Sequence, residues 1–518
     1  MTLKHEMNVA VVGGGPKALG LLCELEKLAI ESGSFALNVT VFDPFPPGAG
    51  EVWDARTPEH LIMNVRPEVA DFRCPSWSWS FGDWVSRVKG VESPEYPPRR
   101  WMGEYLTEVF RAVAKSPHFD VEWIPERVTG LEQSDAALET QWLVRSVPMS
   151  GSTPDIGSME RAFDAVVLAT GHHNPQSATW HQRIMNDPAL GPGTNVRVRG
   201  AALTAIDAVL DLTEGRGGVW LEEGKTLRYV PSGHEPRSVT LVSRTGVPLS
   251  PKPPRIAEHR RDIIRASCEP LRELSNTSEV QPSSMWWDTL IAAAVSVART
   301  WGLETPPQTF RQVLFADELG DAASPTALQR MEASLAMNRG DVPPDERWVL
   351  GRVWQEGYAT IISSLDRKER DPEQWARFRD AAARLERWAY GPPERTVGRL
   401  VSLTRSGWLR WEMGTDERHD IDAVTSAPGV AVNEHRDTLW AGLRAAGHVH
   451  VREGERGVLT TSRCQCVGGS GAETPGLFAL GRPTEDPVIG HDTLNHHLHG
   501  EAARLAHTLV LAAKGALV

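Results

Sequence analysis

The chain has 518 residues, 41% hydrophobic and 24% charged, with a formal net charge of −12; that is too long for one core and predicts two or three domains. The acidic balance, without a Lys/Arg block, excludes nucleic acid as the main partner, and five cysteines in such a length make no disulfide framework. No run of 18 apolar residues predicts a membrane span, and a first strand near residue 8 leaves no room for a signal peptide, so the expected location is the cytoplasm.

The first predicted strand is Asn8-Val-Ala-Val-Val. It runs into Gly13-Gly-Gly15-Pro16-Lys17-Ala18 and a helix, and Val39-Thr-Val-Phe-Asp43 follows as a second strand ending on an acid. In such a unit Gly13 permits the tight turn and Gly15 lets the backbone approach a pyrophosphate. Ala18 lets the helix lie close to the sheet, and Asp43 accepts from a ribose hydroxyl. The phosphates would lie at the helix N-terminus, where N–H groups point outward. With both strands, the helix and the acid in order, the pattern predicts a dinucleotide site. Nineteen Trp stand against five Tyr, with Trp53, Trp77, Trp79, Trp84 and Trp101 clustered early. Most are expected in packing, and one or two could wall a flat cofactor.

Phe163-Asp164-Ala-Val-Val-Leu168 reads as a buried parallel strand that ends at Thr170-Gly171-His172-His173 and is closed by Pro175. Asn195 to Gly200 is a third strand, followed by a helix from Ala201. Val219 to Tyr229 reads as a hairpin with a Glu-Gly turn, and Val239 to Ser243 as the next strand. These form a second βαβ unit, whose glycine pattern, Gly200-x-Ala202-x-x-Ala205, is degenerate. Ser243-Arg244 stands where Asp43 stands in the first unit. Replacing the acid in this way favours a 2′-phosphate, hence NADPH over NADH; a solvated surface arginine is the alternative.

Residues 255 to about 395 are predicted mainly helical. Trp287, Leu290, Ile291, Ala294, Ala298 and Trp301 share one face, as do Trp375, Phe378, Ala382, Leu385 and Trp388. Pro392-Pro393 ends this insert, and Asp422 to Gly429 resembles a strand returning to the sheet. Cys464 and Cys466 read as two thiols in or near a strand. A strand at Gly476 to Gly481, then Asp492-Thr493-Leu494-Asn495 and a helix, would return the chain to the first domain. His496 and His499 are expected on one helix face, without the further ligand that a metalloprotease-like spacing needs, so no metal is expected.

Two dinucleotide units, an Asp-x-x-x-Leu-Ala-Thr-Gly strand between them and a closing Gly strand form a set that resembles the flavin-dependent N-hydroxylating monooxygenases. Asp164, Leu168, Ala169, Thr170 and Gly171 match that signature, and His172 stands where the family usually has Tyr. The finer resemblance is to an FAD/NAD(P)-binding group that includes nitrosuccinate-forming aspartate N-monooxygenases. It rests on Gly13 to Gly20 (GGGPKALG), Phe42-Asp43-Pro44, Gly48 to Trp53, Leu61-Ile-Met63-Asn64, Arg99 through Leu106, Gly200 through Asp207, Leu212 to Gly218 and Gly481 to Thr484.

The resemblance implies an α/β fold of two Rossmann-like dinucleotide-binding domains, for FAD and NADPH, with a mainly helical insert. Residues 1–190 would begin the FAD domain, 191–260 the NADPH domain, 261–395 the insert, 396–430 the NADPH return and 431–518 the C-terminal part of the FAD domain. It also implies FAD, NADPH and molecular oxygen acting on the amine of a small amino acid, L-aspartate first, towards an N-hydroxy or nitroso product through a C4a-hydroperoxyflavin. The implied cofactor residues are Gly13, Gly15, Pro16, Lys17, Ala18, Asp43, Trp53, Met63, Asn64, Arg99, Thr170, Gly171 and His172. Gly200, Thr204, Ser243, Arg244, Gly481, Asp486, Thr493 and Leu494 complete that set. Asn64 and Arg66 are the catalytic candidates. Asn64 would lie near the flavin ring or the nicotinamide amide, or else close a turn. Arg66 and Arg99 could hold a substrate carboxylate or an FAD phosphate. An ammonium has no lone pair, so the site must favour the neutral amine by desolvation or by a base.

Two other readings stay open. One is a flavoprotein reductase that passes electrons to another acceptor. The other is a non-catalytic FAD-binding or redox-sensing protein, which Ala202 keeps in play because it replaces the second glycine of the NADPH turn. The Phe-x-Gly-x-x-x-His-x-x-x-Trp pattern of Baeyer–Villiger enzymes is absent, which disfavours ketone oxidation. Oligomeric state has no signature in the sequence.

Overall fold

A computed structural model describes residues 6–32, 37–134, 141–149, 159–172, 177–276, 283–315, 326–415, 418–424 and 438–515. The chain divides into two compact units, one of Met1–Ala178, Leu365–Glu369 and Thr425–Val518, the other of Thr179–Ser364 and Arg370–Val424. In chain order the first contributes β1 (Met7–Val12), β2 (Leu37–Phe42), β3 (Asp120–Ile124), β4 (Glu126–Ser134), β5 (Gln141–Pro148), β6 (Met159–Phe163) and β7 (Ala165–Leu168). The second contributes β8 (Asn195–Arg199), β9 (Val219–Glu223), β10 (Thr226–Val230), β11 (Ser238–Ser243), β12 (Leu409–Met413) and β13 (Ile421–Asp422). The chain then returns to the first unit with β14 (Gln465–Val467) and β15 (Glu473–Ala479).

The main sheet of the first unit has the order β14-β15-β7-β1-β2-β3. Every pair in it is parallel except β14 with β15. Its central strands are apolar throughout because both faces are covered. In β1, Val9 and Val11 pack with Leu19, Leu22, Leu505 and Leu509 of the helices Pro16–Ser32 and Glu501–Ala513. Ala10 and Val12 point the other way, into a core with Trp142, Val144 and Trp440. That second core lies beneath the antiparallel sheet β4-β5-β6 and the helix Thr438–Ala445.

The single strand expected from Phe163 to Leu168 is divided at Asp164. Phe163 ends β6 and Ala165 begins β7, while Asp164 Oδ2 accepts the Asn8 N–H at 2.7 Å. The carboxylate thus pins the crossover between the two sheets to the edge of β1.

The second unit holds an all-parallel sheet, β12-β11-β8-β13, and the hairpin β9-β10. The hairpin connection is Gly224-Lys225, one residue later than the expected Glu-Gly, since Glu223 pairs with Thr226 and Gly224 takes the positive φ of 63°. The helices Ser283–Thr300 and Pro372–Ala389 carry the expected apolar faces, with Trp287, Leu290, Trp375, Phe378 and Leu385 buried. Asp371 caps the second by accepting the Gln374 N–H at 2.9 Å. Pro393 opens a further helix, Glu394–Arg405, rather than only closing the one before it. Of the strand expected at 422–429, Asp422 lies in β13 and residues 425–429 fall outside the described residues. Among the described residues no helix is long and apolar enough to cross a membrane.

Candidate functional site

At the carboxyl ends of β1, β2 and β7 the first unit holds a cavity of about 450 Å³, the place where open α/β sheets bind nucleotides. The turn after β1 forms one wall. Gly13 has φ +98°, and a Cβ there would sit 2.3 Å from the Ala169 carbonyl oxygen, so the fold itself demands glycine. At Gly15 a Cβ would meet nothing within 4 Å. The space beside it belongs to the cavity, and the helix Pro16–Ser32 starts there with no acidic residue in its first turn. Its outward N–H groups make this end a place for an anion.

Asp43 is buried at the end of β2. Its Oδ2 accepts the Gly14 N–H at 2.6 Å and its Oδ1 accepts the Phe45 N–H at 2.8 Å. Burial pushes its carboxyl up to about 6, against the pull of those two N–H groups and of Arg127. Asp43 therefore clamps the glycine turn to the segment after β2 as well as lining the cavity. Glu51 stands on the same lining. Burial pushes it up to about 7, with Arg127 opposing and Asp43 and Asp54 adding to the rise. Sequence reasoning passed over Glu51, although an acid between Gly50 and Trp53 was the available signal. Arg127 from β4 and Trp440 from the helix Thr438–Ala445 also line the cavity and had no motif to announce them.

The opposite wall follows β7. Thr170 Oγ1 and His172 Nδ1 are buried there without a hydrogen-bond partner among the described residues. Burial, then Arg482, lowers His172 to about 4, so its ring is neutral near pH 7. Arg482 Nη1 lies 3.1 Å from His491 Nε2 and 3.5 Å from Asp492 Oδ2. Asp492 lies at the rim with its side chain half exposed; its surroundings push its carboxyl upward, but His491, Arg482, His172 and Lys17 together hold it down. Burial lowers the Lys17 ammonium, opposed by Glu501 and Asp492. An open cradle at Gly15, a bare helix terminus and two unpaired polar atoms facing it fit a dinucleotide cofactor, which brings a pyrophosphate and hydrogen-bonding rings.

The structure thus brings Gly13, Gly15, Pro16, Lys17, Asp43, Trp53, Thr170, Gly171, His172, Thr493 and Leu494 to one lining. Ala18 lies beneath it, 1% exposed, in the helix–sheet contact. Met63, Asn64, Arg66, Arg99, Gly481 and Asp486 are not among the described residues that line it. Met63 is fully buried, and its N–H donates to the Pro97 carbonyl while that of Arg99 donates to Leu61. Arg66 Nε donates to Glu95 Oε1 at 2.7 Å, and its guanidinium lies over Tyr96. Asp486 takes two bonds of 3.0 Å from the Arg456 guanidinium and one from its N–H. Gly481, with φ +74°, packs on the Lys17 side chain. His173 lies outside the described residues.

In the second unit Gly200 follows β8 with φ +120°, and Ala202 precedes the helix Leu203–Asp211 without a side-chain cap. Thr204 is in that helix's first turn. Ser243 ends β11 and its Oγ accepts the Gly246 N–H at 3.0 Å, while Arg244 is exposed. The helix face expected for His496 and His499 is absent: residues 491–500 are a run of turns before the helix Glu501–Ala513. Thr493 Oγ1 accepts the Asn495 N–H and Asn495 Oδ1 accepts that of His497. Such local bonds compete with helix. Cys464 and Cys466 are buried free thiols, and burial pushes both well up, so neither offers a thiolate.

Residues 10–173 match a family described as FAD-NAD(P)-binding, and the glycine turn after β1 and the wall after β7 both lie within the matched segment. The chain is 32% identical over 275 residues, 46% of its length, to a nitrosuccinic acid synthase of Aspergillus oryzae, of which the match covers 40%. It is 29% identical over 297 residues, 47% of its length, to a nitrosuccinate-forming L-aspartate N-monooxygenase of Streptomyces cremeus, of which the match covers 43%. The matches thus span less than half of these relatives' own length. The reduced form of an ornithine hydroxylase from Pseudomonas aeruginosa shares the fold, with a TM-score of 0.51 over 98% of both chains at 13% identity.

Proposed function

We propose that the protein is an FAD- and NADPH-dependent monooxygenase that oxidises the amine nitrogen of a small amino acid, with L-aspartate as the first substrate to test. The carrying observation is the cavity with its open Gly15 cradle and unpaired Thr170 and His172, in a chain similar over nearly half its length to a nitrosuccinic acid synthase and to a nitrosuccinate-forming L-aspartate N-monooxygenase. In this reading Gly15 and the N-terminus of the helix Pro16–Ser32 receive the FAD pyrophosphate. Glu51, beside a clamped Asp43, takes the ribose hydroxyls, Thr170 and His172 bond polar edges of the cofactor, and Trp53 walls it. Gly200, Thr204 and Ser243 serve NADPH, and Arg244 takes its 2′-phosphate. Bound FAD supplies the chemistry that passes two electrons from NADPH to oxygen. One oxygen atom goes to the amine nitrogen and the other leaves as water, with NADPH and a proton consumed.

The protein's part is to present a neutral amine and to hold the substrate's carboxylates. Arg66 and Arg99 remain the candidates for the second task. Arg66 already bonds Glu95, so a substrate carboxylate would take the place of that partner. The free thiols fit a cytoplasmic setting.

The test is NADPH oxidation by the FAD-loaded protein with a panel of amino acids and analysis of products. L-Aspartate should stimulate turnover and yield an N-oxidised product. Hydrogen peroxide alone with every amino acid would sink the substrate assignment, and a product oxidised at sulfur or carbon would sink N-oxidation. NADPH oxidation that needs an added electron acceptor and leaves oxygen untouched would favour the reductase.

A further inference from the structure

Three ligand-type side chains converge outside the cavity. Glu24 comes from the helix Pro16–Ser32, and His496 and His497 from the turns before Glu501–Ala513. One ligand atom from each lies within 4.8 Å of the other two. His496 is only 6% exposed, and neither of its ring nitrogens has a hydrogen-bond partner among the described residues. A neutral imidazole carries one N–H and one lone pair, and leaving such a buried group unpaired costs about 1–3 kcal/mol. A buried pair of this kind calls for a partner that the described residues do not supply, such as a water or an ion.

The geometry around His496 decides between them. Its Nε2 stands 3.9 Å from Glu24 Oε1. That is too long for a hydrogen bond, but it suits two ligands that each lie about 2.0–2.2 Å from one ion. The ring is held by its neighbours. Phe72 stacks on it at 4.9 Å and the His497 ring lies 3.8 Å away, while Gly20 leaves the room for it, since a Cβ there would approach the His496 Cβ to 3.1 Å. His497 is exposed, which opens a path for an ion and a remaining position for water. Lys27 donates to Glu24 Oε1 at 2.7 Å with a side chain about a third exposed, so binding would exchange one ammonium for a doubly charged ion.

We propose that Glu24, His496 and His497 form a site for a first-row divalent transition metal of the zinc class. Two imidazoles and one carboxylate favour zinc, nickel or copper over magnesium or calcium, which take oxygen ligands. The ion would join the helix that starts at the pyrophosphate cradle to the segment whose Thr493 and Leu494 line the cavity.

The test uses the full FAD-loaded chain, treated with a chelator, exchanged into buffer and titrated with zinc chloride by calorimetry, with melting followed in parallel. One equivalent should bind and raise Tm, and magnesium should do neither. His497→Ala, at an exposed position, and Glu24→Gln should each weaken zinc at least about tenfold, as loss of a metal-site group does, and should abolish the rise in Tm. His259→Ala, at an exposed histidine of the second unit, should change nothing. Zinc binding of equal strength in wild type, His497→Ala and Glu24→Gln would overturn the site, as would the absence of any one-to-one binding. The Tm of each variant without zinc shows that it is folded.

Discussion

Gly13→Ala and Gly15→Ala should separate the two tasks of the first glycine turn. At Gly13 the backbone has φ +98°, a region that costs a residue with a side chain about 1–3 kcal/mol. The new Cβ would also lie 2.3 Å from the Ala169 oxygen, 2.7 Å from its carbonyl carbon and 3.1 Å from Thr170 Cα. These are backbone atoms, held by the 2.8 Å bond from the Ala169 N–H to the Val12 carbonyl, so no rotamer relieves the clash. Strain and clash together should cost about 3–4 kcal/mol. At roughly 2–4 °C per kcal/mol for a domain of this size, the Tm of cofactor-free protein should fall on the order of 10 °C. At Gly15 the new Cβ meets nothing within 4 Å. Stability should hold, or rise by less than about 1 kcal/mol through the stiffer unfolded chain. The methyl group does occupy the approach of a pyrophosphate, so FAD should bind at least about tenfold more weakly, a loss of about 1.4 kcal/mol. Thermal melting of cofactor-free protein and FAD titration by flavin fluorescence read the two effects. Wild-type FAD affinity in Gly15→Ala, or a wild-type Tm in Gly13→Ala, would refute this account of the turn.

Thr170→Val removes a buried hydroxyl that has no partner among the described residues. The cofactor-free Tm should therefore not fall, while FAD titration should show weaker binding; a lower Tm with unchanged FAD affinity would make Thr170 structural. Burial raises Glu51 from its ordinary 4.5 to about 7 and Asp43 from 3.8 to about 6. The folded state then holds these protons more tightly than the unfolded state. Their stabilising contribution is complete below about pH 4 and is lost as pH rises through 6 to 7. Glu51→Gln should flatten the Tm-versus-pH curve of cofactor-free protein between pH 4.5 and 7, and an unchanged slope would count against the burial of Glu51. Arg244→Ala should raise KM for NADPH about tenfold to a hundredfold, the worth of one charge-assisted hydrogen bond, with little change for NADH. Equal losses for both coenzymes would mean that Arg244 does not meet the 2′-phosphate.

What was legible in the sequence was what the backbone builds locally. β1, β2, β7 and β15 are short apolar strands closed by glycine turns, and parallel strands covered on both faces must look so. The turn at Gly13–Lys17 and the wall at Thr170–His172 are each one contiguous segment, so spacing alone places their parts. β4 carries no such mark. Only Val128 and Leu131 of its nine residues are buried, and an irregularity between Val128 and Gly130 shifts its register, which erases the alternation that reveals a strand. β12 buries only Leu409. Arg127 and Trp440 reach the cavity from β4 and from a helix hundreds of residues further on, so no local pattern could place them there. The acids show the same divide. A template of strand, turn and acid selects Asp43, yet both its oxygens are engaged by N–H groups of the turns that the template describes. Glu51 becomes the half-buried acid of the lining only because the loop after β2 folds back beside that clamp. His496 is the sharpest case. Its i,i+3 spacing to His499 imitates a helix face, while the hydroxyl and amide of Thr493 and Asn495 hold the segment in turns. Its real neighbours, Glu24, Gly20 and Phe72, are brought to it by the fold and lie hundreds of residues away in the chain. Side-chain clusters assembled from distant segments are therefore where the structure adds chemistry that periodicity and motif spacing do not carry.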